Sequence, residues 1–158
     1  MKAKYLKGVY LLAVAAISLV LSSCGGQNNP DPRDAFVGTY SYEASGNIDF
    51  DFSITTYHIP LNDKGKITIS KVGDENKVLI EGWNNPINAT IAGNQLILES
   101  NEYTTNYGDI ALQLSFTYHK ATLVENKLTW DTDVRGEGRY SSFSATGAGT
   151  ISVVATKE

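Results

Sequence analysis

Thiol, imidazole and proline are nearly missing from this chain. Its 158 residues hold one cysteine, two histidines and four prolines. A single cysteine, Cys24, cannot form an internal disulfide or supply a Cys pair for zinc, so the fold rests on its core alone. His58 and His119 stand far apart, and no H-x-x-x-H spacing exists, which leaves no metal motif. Positive charge is also short. The formal charge is −4, and Lys2, Lys4 and Lys7 are the only charged side chains before Cys24. From Cys24 onward, ten Lys and Arg face seventeen Asp and Glu, a balance of −7. That excludes the basic face a nucleic acid needs and electrostatic adhesion to anionic lipid. No G-x-S-x-G occurs, no amphipathic stretch carries helix caps, and only one long apolar run is present.

That run is Gly8–Leu21, "GVYLLAVAAISLVL". Three lysines precede it, and Ser22, Ser23 and Cys24 come after it. A basic start, a short apolar core and small residues before a cut form a secretory signal, too short to span a bilayer. Leu21-Ser22-Ser23-Cys24 resembles the lipobox of bacterial lipoproteins. The resemblance implies cleavage before Cys24 and a diacylglyceryl group on its sulfur, with the new amine acylated as well. Several acyl chains anchor durably where one does not. Residues 25–34, "GGQNNPDPRD", read as a flexible tether, because Gly, Asn and two X-Pro steps resist packing. Gly25 does not resemble the Asp that holds many lipoproteins in an inner membrane, so an outer-membrane site in the cell envelope is expected. The expected division is signal peptide 1–23, lipidated tether 24–34 and one domain 35–158.

Within that domain the dominant period is two. Ile110, Leu112, Leu114, Phe116 and Tyr118 fall on one side of their segment, with Ala111, Gln113, Ser115 and Thr117 on the other. Ile48, Phe50, Phe52 and Ile54 alternate with Asp49, Asp51, Ser53 and Thr55 in the same way. The pattern predicts strands over 36–44, 47–57, 65–72, 77–82, 87–92, 95–100, 110–124, 127–133, 137–146 and 149–156. Reversals are predicted at Ser45-Gly46-Asn47, Asp63-Lys64-Gly65, residues 73–76, Ala92-Gly93-Asn94, Glu125-Asn126 and Gly147. Longer connections are predicted at Tyr57 to Lys64 and Asn101 to Asp109. A bulge is expected near His119-Lys120-Ala121, where Leu123 and Val124 compete for the inner face. So many short-linked strands without helices predict an all-β, antiparallel, up-and-down meander closed into a barrel of about eight to ten strands.

Gly38-Thr39-Tyr40 looks like a variant of the Gly-x-Trp signature on the first strand of lipocalins. With "GKITISKVGDENKVLIEGW", "INATIAGNQLILES" and "ATLVENKLTWDT", it is similar to the lipid-anchored, lipocalin-like or calycin-like β-barrel proteins of Bacteroides-type bacteria. The resemblance implies a small meander barrel and brings no site residues. Lipocalins also pack a late Arg across the opening aromatic, a role open to Arg139 or Arg135.

Chemistry is sparse. Asp49-x-Asp51 and Asp131-x-Asp133 place carboxylates on one face of a strand rather than in a calcium loop. The glycines of Gly136-Glu137-Gly138 and Gly147-Ala148-Gly149 lack the strand-to-helix setting of a phosphate loop. No catalytic constellation, metal or cofactor is expected. Aromatic residues are the better hint: Trp83 at a strand end in "EGWNNP", and Tyr103 and Tyr107 in "SNEYTTNYGD", are the candidate recognition residues. Two functions remain open. One is a non-enzymatic module binding a small apolar or amphipathic ligand. The other is an envelope structural or interaction protein, its barrel filled by Phe50, Phe52, Phe116 and Tyr118, whose loops touch a protein or glycan. A cavity of several hundred Å³ with converging polar groups favours the first reading.

Overall fold

The computed structural model describes residues 30–52, 55–83, 85–140 and 143–158. Cys24, the signal segment and most of the tether lie outside them. Eleven strand segments succeed one another in the compact unit Asp31–Glu158. They are β1 (Gly38–Asp51), β2 (Thr56–Pro60), β3 (Asp63–Lys71), β4 (Lys77–Glu81), β5 (Ile87–Ala92), β6 (Gln95–Leu98), β7 (Asn101–Tyr107), β8 (Ile110–Tyr118), β9 (Ala121–Val124), β10 (Lys127–Tyr140) and β11 (Phe143–Lys157).

Register reduces these eleven segments to eight staves. β2 and β3 pair with β1 in one unbroken register, from Asp51 opposite Thr56 to Gly38 opposite Ile69. β6 and β7 run against β9 and β8 in the same manner, from Gln95 opposite Thr122 to Tyr107 opposite Ile110. Against β10, by contrast, β8 and β9 slip by one residue. Tyr118 faces Thr132 and Thr122 faces Thr129, so residues 119–121 oppose only 130 and 131. That is the bulge expected at His119-Lys120-Ala121, where the His119 N–H donates to Asp131 O at 2.9 Å. Each stave is antiparallel to its sequence neighbour, and β11 pairs with both β10 and β1. The result is the all-β up-and-down barrel that the alternation and short links demand.

The staves differ in length, and this shapes the molecule. β4 and β5 stop at Glu81 and Ile87, while β1, β10 and β11 run 14 or 15 residues. One half of the barrel is therefore closed all round. In the other, β2, the far halves of β1, β11 and β10, and then β8 and β7 form a curled wall. Its two edges, β2 and β7, have no further strand partner among the described residues. A seam is left between them above the β4–β5 loop.

Several predicted reversals are instead the middles of long strands. Ser45-Gly46-Asn47 lies inside β1 and Gly147 inside β11. Residues 127–133 and 137–146 join as β10 and the start of β11, with the reversal at 140–143. Asn101 to Asp109, read as a connection, is mostly β7. The misreadings along β1, β10 and β11 have one cause. Gly46, Gly136, Gly138, Gly147 and Gly149 occupy inward-facing positions where side chains would collide. A Cβ at Gly147 would stand 2.8 Å from the Phe50 ring, and one at Gly136 would stand 2.7 Å from Leu114 Cδ2 and 2.9 Å from Phe50. Gly46 and Gly149 sit where β1 and β11 press backbone on backbone. Glycine here admits close packing and sharp coiling rather than a turn.

The closed end is filled by Phe36, Tyr40, Ile67, Ile80, Leu96 and Leu128, all fully buried. Tyr40 donates to Phe36 O at 2.8 Å. The cation over its ring is Lys157, at 5.9 Å, which also donates to Ala35 O. Neither Arg135 nor Arg139 takes that place, because both lie on the outer face of β10, on the far side of the wall. Pro32–Ala35, at the end of the expected tether, turns as a 3-10 helix. Asp31 caps it, accepting from the Arg33 N–H and guanidinium and from Lys71 on β3. The Arg33 guanidinium and then Lys71 hold the Asp31 carboxyl well below the usual carboxylate range.

Candidate functional site

Between the filled closed end and the seam lies a cavity of about 380 Å³. Volumes of roughly 300–1,000 Å³ are usual for small-molecule sites. Its walls are inward residues of the long staves: Tyr42 and Ala44 on β1, Leu114, Phe116 and Tyr118 on β8, Trp130 and Thr132 on β10, Ile151 and Val153 on β11. Its mouth is bounded by Pro60, Leu61, Asn62 and Asp63 on one edge of the seam and by Asn101, Tyr103 and Thr105 on the other. Gly82, Trp83 and Asn85 of the β4–β5 loop form its sill. Asn85 Nδ2 reaches across to Glu102 O on β7 at 3.4 Å.

Aromatic rings dominate the interior. Trp83 stands edge-on to both Tyr42 and Trp130, with ring centroids 5.7 Å apart in each case. Phe116 and Tyr118 lie near-parallel on β8. Trp130 is buried, and its indole N–H finds no oxygen or nitrogen acceptor among the described residues.

Polar groups gather near the mouth. Ile59, Leu61, Asp63, Gly65, Ile67 and Ile69 share one parity along β2 and β3, so Asp63 continues an apolar row to the mouth, where it is exposed. Tyr42 Oη donates to Asp63 Oδ2 at 2.5 Å, and the Lys64 backbone N–H donates to Oδ1 at 2.8 Å. Burial, reinforced by the Asp63 carboxylate, pushes the Tyr42 hydroxyl up to about 12, against a smaller opposing effect of Trp83. Burial likewise pushes Tyr118 up to about 12, and its hydroxyl donates to Asn101 Oδ1 at 2.8 Å.

Of the residues singled out from sequence, Trp83 of the β4–β5 loop and Tyr103 of β7 meet at this cavity. Tyr107 does not line it. It ends β7 at a hairpin tip and is 46% exposed. Cys24 lies outside the described residues. Sequence reasoning does not single out Trp130, Tyr42 or Asp63. Asp63 is absorbed into a predicted turn, although its parity with Ile67 and Ile69 is there to be read. The histidines pair with surface carboxylates, His58 with Asp49 at 2.8 Å and His119 with Asp133 at 3.1 Å. No metal-binding cluster exists among the described residues. A wider hollow on the outer wall, lined by Asp49, Glu102, Arg135 and Glu137, has no aromatic lining.

No family model and no curated protein matches the sequence. Among solved structures, the chain is similar to an auxiliary nutrient binding protein from Bacteroides thetaiotaomicron, at 8% identity and a TM-score of 0.32. The match covers 76% of this chain and 46% of that one, so the chain spans less than half of that protein's length.

Proposed function

We propose that this chain is a non-enzymatic binding module that holds one small amphipathic ligand in the side-opening pocket of its barrel. The observation that carries the reading is the cavity itself. It combines a lumen walled by aromatic rings with a mouth of Asn62, Asp63, Asn85 and Asn101. An apolar interior with a few placed polar groups is what orients an amphipathic guest. Phe50 and Phe52, which have the size to fill the whole lumen, are buried in the curled wall beyond the pocket and leave it open.

Both tryptophans of the chain line the cavity, so intrinsic fluorescence reports on this site alone. The neutral dye N-phenyl-1-naphthylamine should gain fluorescence saturably, at one dye per chain, with energy transfer from tryptophan. Ala44→Phe, which places a ring in the cavity, should lower that affinity at least tenfold. Saturable binding unaffected by Ala44→Phe would place the dye elsewhere and remove the reading.

The lipobox-like stretch supports export and anchoring in the cell envelope, in the outer membrane where the host has two, through acyl chains on Cys24. Cys24→Ala should move the protein from the membrane fraction to the soluble one. Continued membrane fractionation would argue against the anchor. A second reading, contact with a protein or glycan through the loops, is favoured by one observation. Tyr107, Tyr140 and Phe143 are exposed at hairpin ends that the pairing of β7, β8, β10 and β11 brings to the same end of the wall.

A further inference from the structure

We infer that the pocket selects organic cations: amphiphiles whose head is a quaternary or protonated amine. The inference rests on the binding-module reading and adds the ligand's charge. Three observations converge on it. First, among the described residues the lining holds a single ionisable side chain with a formal charge, Asp63, and no Lys, Arg or His. An anionic head entering there meets a carboxylate and no countercharge. Second, the carboxylate is positioned. Tyr42 Oη and the Lys64 N–H each fix one of its oxygens, and it lines the cavity at the mouth, where it stays exposed to an arriving ligand. Third, six aromatic rings surround the space beside it, those of Tyr42, Trp83, Tyr103, Phe116, Tyr118 and Trp130. Aromatic faces attract a cation that has shed its water, and tryptophan does so best. A neutral apolar guest has a use for the rings but none for Asp63. A cation uses both. The acidic balance of the chain acts in the same direction at long range, raising the local concentration of cations.

Three probes of nearly the same shape separate the possibilities: phenyltrimethylammonium, tert-butylbenzene and benzenesulfonate. They carry positive, zero and negative charge on the same phenyl scaffold. Each is titrated against the protein loaded with N-phenyl-1-naphthylamine, and dye displacement is read. Phenyltrimethylammonium should displace the dye at a concentration about tenfold or more below tert-butylbenzene, and benzenesulfonate should not displace it. Asp63→Asn should bring the cation and its neutral isostere within about threefold of each other, each read against the dye affinity of that variant. Tert-butylbenzene competing as well as the cation overturns cation selection and leaves the binding pocket standing. Displacement by benzenesulfonate does the same. Cation preference that survives Asp63→Asn also overturns the assignment to this site. If the dye itself never binds and no probe perturbs tryptophan fluorescence, the binding reading falls and this inference falls with it.

Discussion

Gly65 shows how a single missing side chain arranges the pocket. A Cβ there would stand 3.2 Å from the Tyr42 ring, its partner across β1 and β3. Without one, the ring lies over the glycine and its hydroxyl reaches Asp63. The chemistry of that contact is testable by titration. Tyr42 and Tyr118 are pushed up to about 12, both chiefly by burial. In the unfolded chain they ionise near the ordinary value of about 10. The folded state therefore holds these protons more tightly, and their contribution is complete below about pH 10. It declines as pH rises from about 10 toward 12. Tyrosinate absorbance should show three of the described tyrosines titrating late, Tyr40, Tyr42 and Tyr118, all raised by burial, and Tyr42→Phe should remove one of them. Three late protons still present in Tyr42→Phe would mean another tyrosine had been mistaken for it. At this scale the aromatic half of the site was legible, because Trp83 stands out beside asparagines at a strand end and Tyr103 in a polar stretch read as a loop. The acidic half was not, because Asp63-Lys64-Gly65 has the composition of a turn and only its parity says otherwise.

Strands are where alternation read well and glycine read badly. Inward parity runs unbroken from Tyr40 to Phe50 along β1, from Leu128 to Gly138 along β10 and from Ala145 to Ala155 along β11. A true reversal rarely preserves parity across so many residues, so the alternation outweighs the turn composition at Ser45-Gly46-Asn47. The bulge at residues 119–121 was legible for the same reason, since the apolar parity of β8 fails to continue into β9. The two kinds of glycine predict different damage on substitution. At Gly149 a Cβ would overlap the backbone of Asn47 and Ile48 on β1. Gly149→Ala should destabilise by about 2–4 kcal/mol, in the range of severe core overpacking. Gly93 has open space around it and a φ of +65°. Gly93→Ala should cost only about 1 kcal/mol, the strain of a left-handed conformation for alanine. Urea unfolding of the two variants distinguishes them; equal losses would mean that the β1–β11 contact is looser than described.

The barrel as a whole is closed by its first and last strands. β11 zips to β1 from Tyr40–Lys157 to Phe50–Gly147, joining the first and last strands of the domain. Lys66 and Ser41 both bind the Glu158 carboxylate, holding it below the ordinary glutamate range. The Glu158 N–H donates to Thr39 O. Contacts so remote in sequence form late and slowly, on a scale of roughly milliseconds to seconds. Removing residues 151–158 takes away the half of β11 that seals the closed end. The truncated chain should lose cooperative unfolding rather than merely soften, as seen by loss of a sharp transition in near-ultraviolet circular dichroism. A truncated protein that still unfolds in one sharp step would show that the remaining staves reseal.

In the binding module proposed above, the seam between β2 and β7 is the route by which cargo would arrive. A barrel that opens only at its end measures its guest by depth, since every added carbon must fit beneath the rim. This pocket opens through the wall, between Leu61 and Tyr103. A long hydrocarbon tail can trail out sideways while its head stays beside Asp63. Such a doorway grades its visitors by the group they lead with and is nearly blind to the length of the chain they drag behind them.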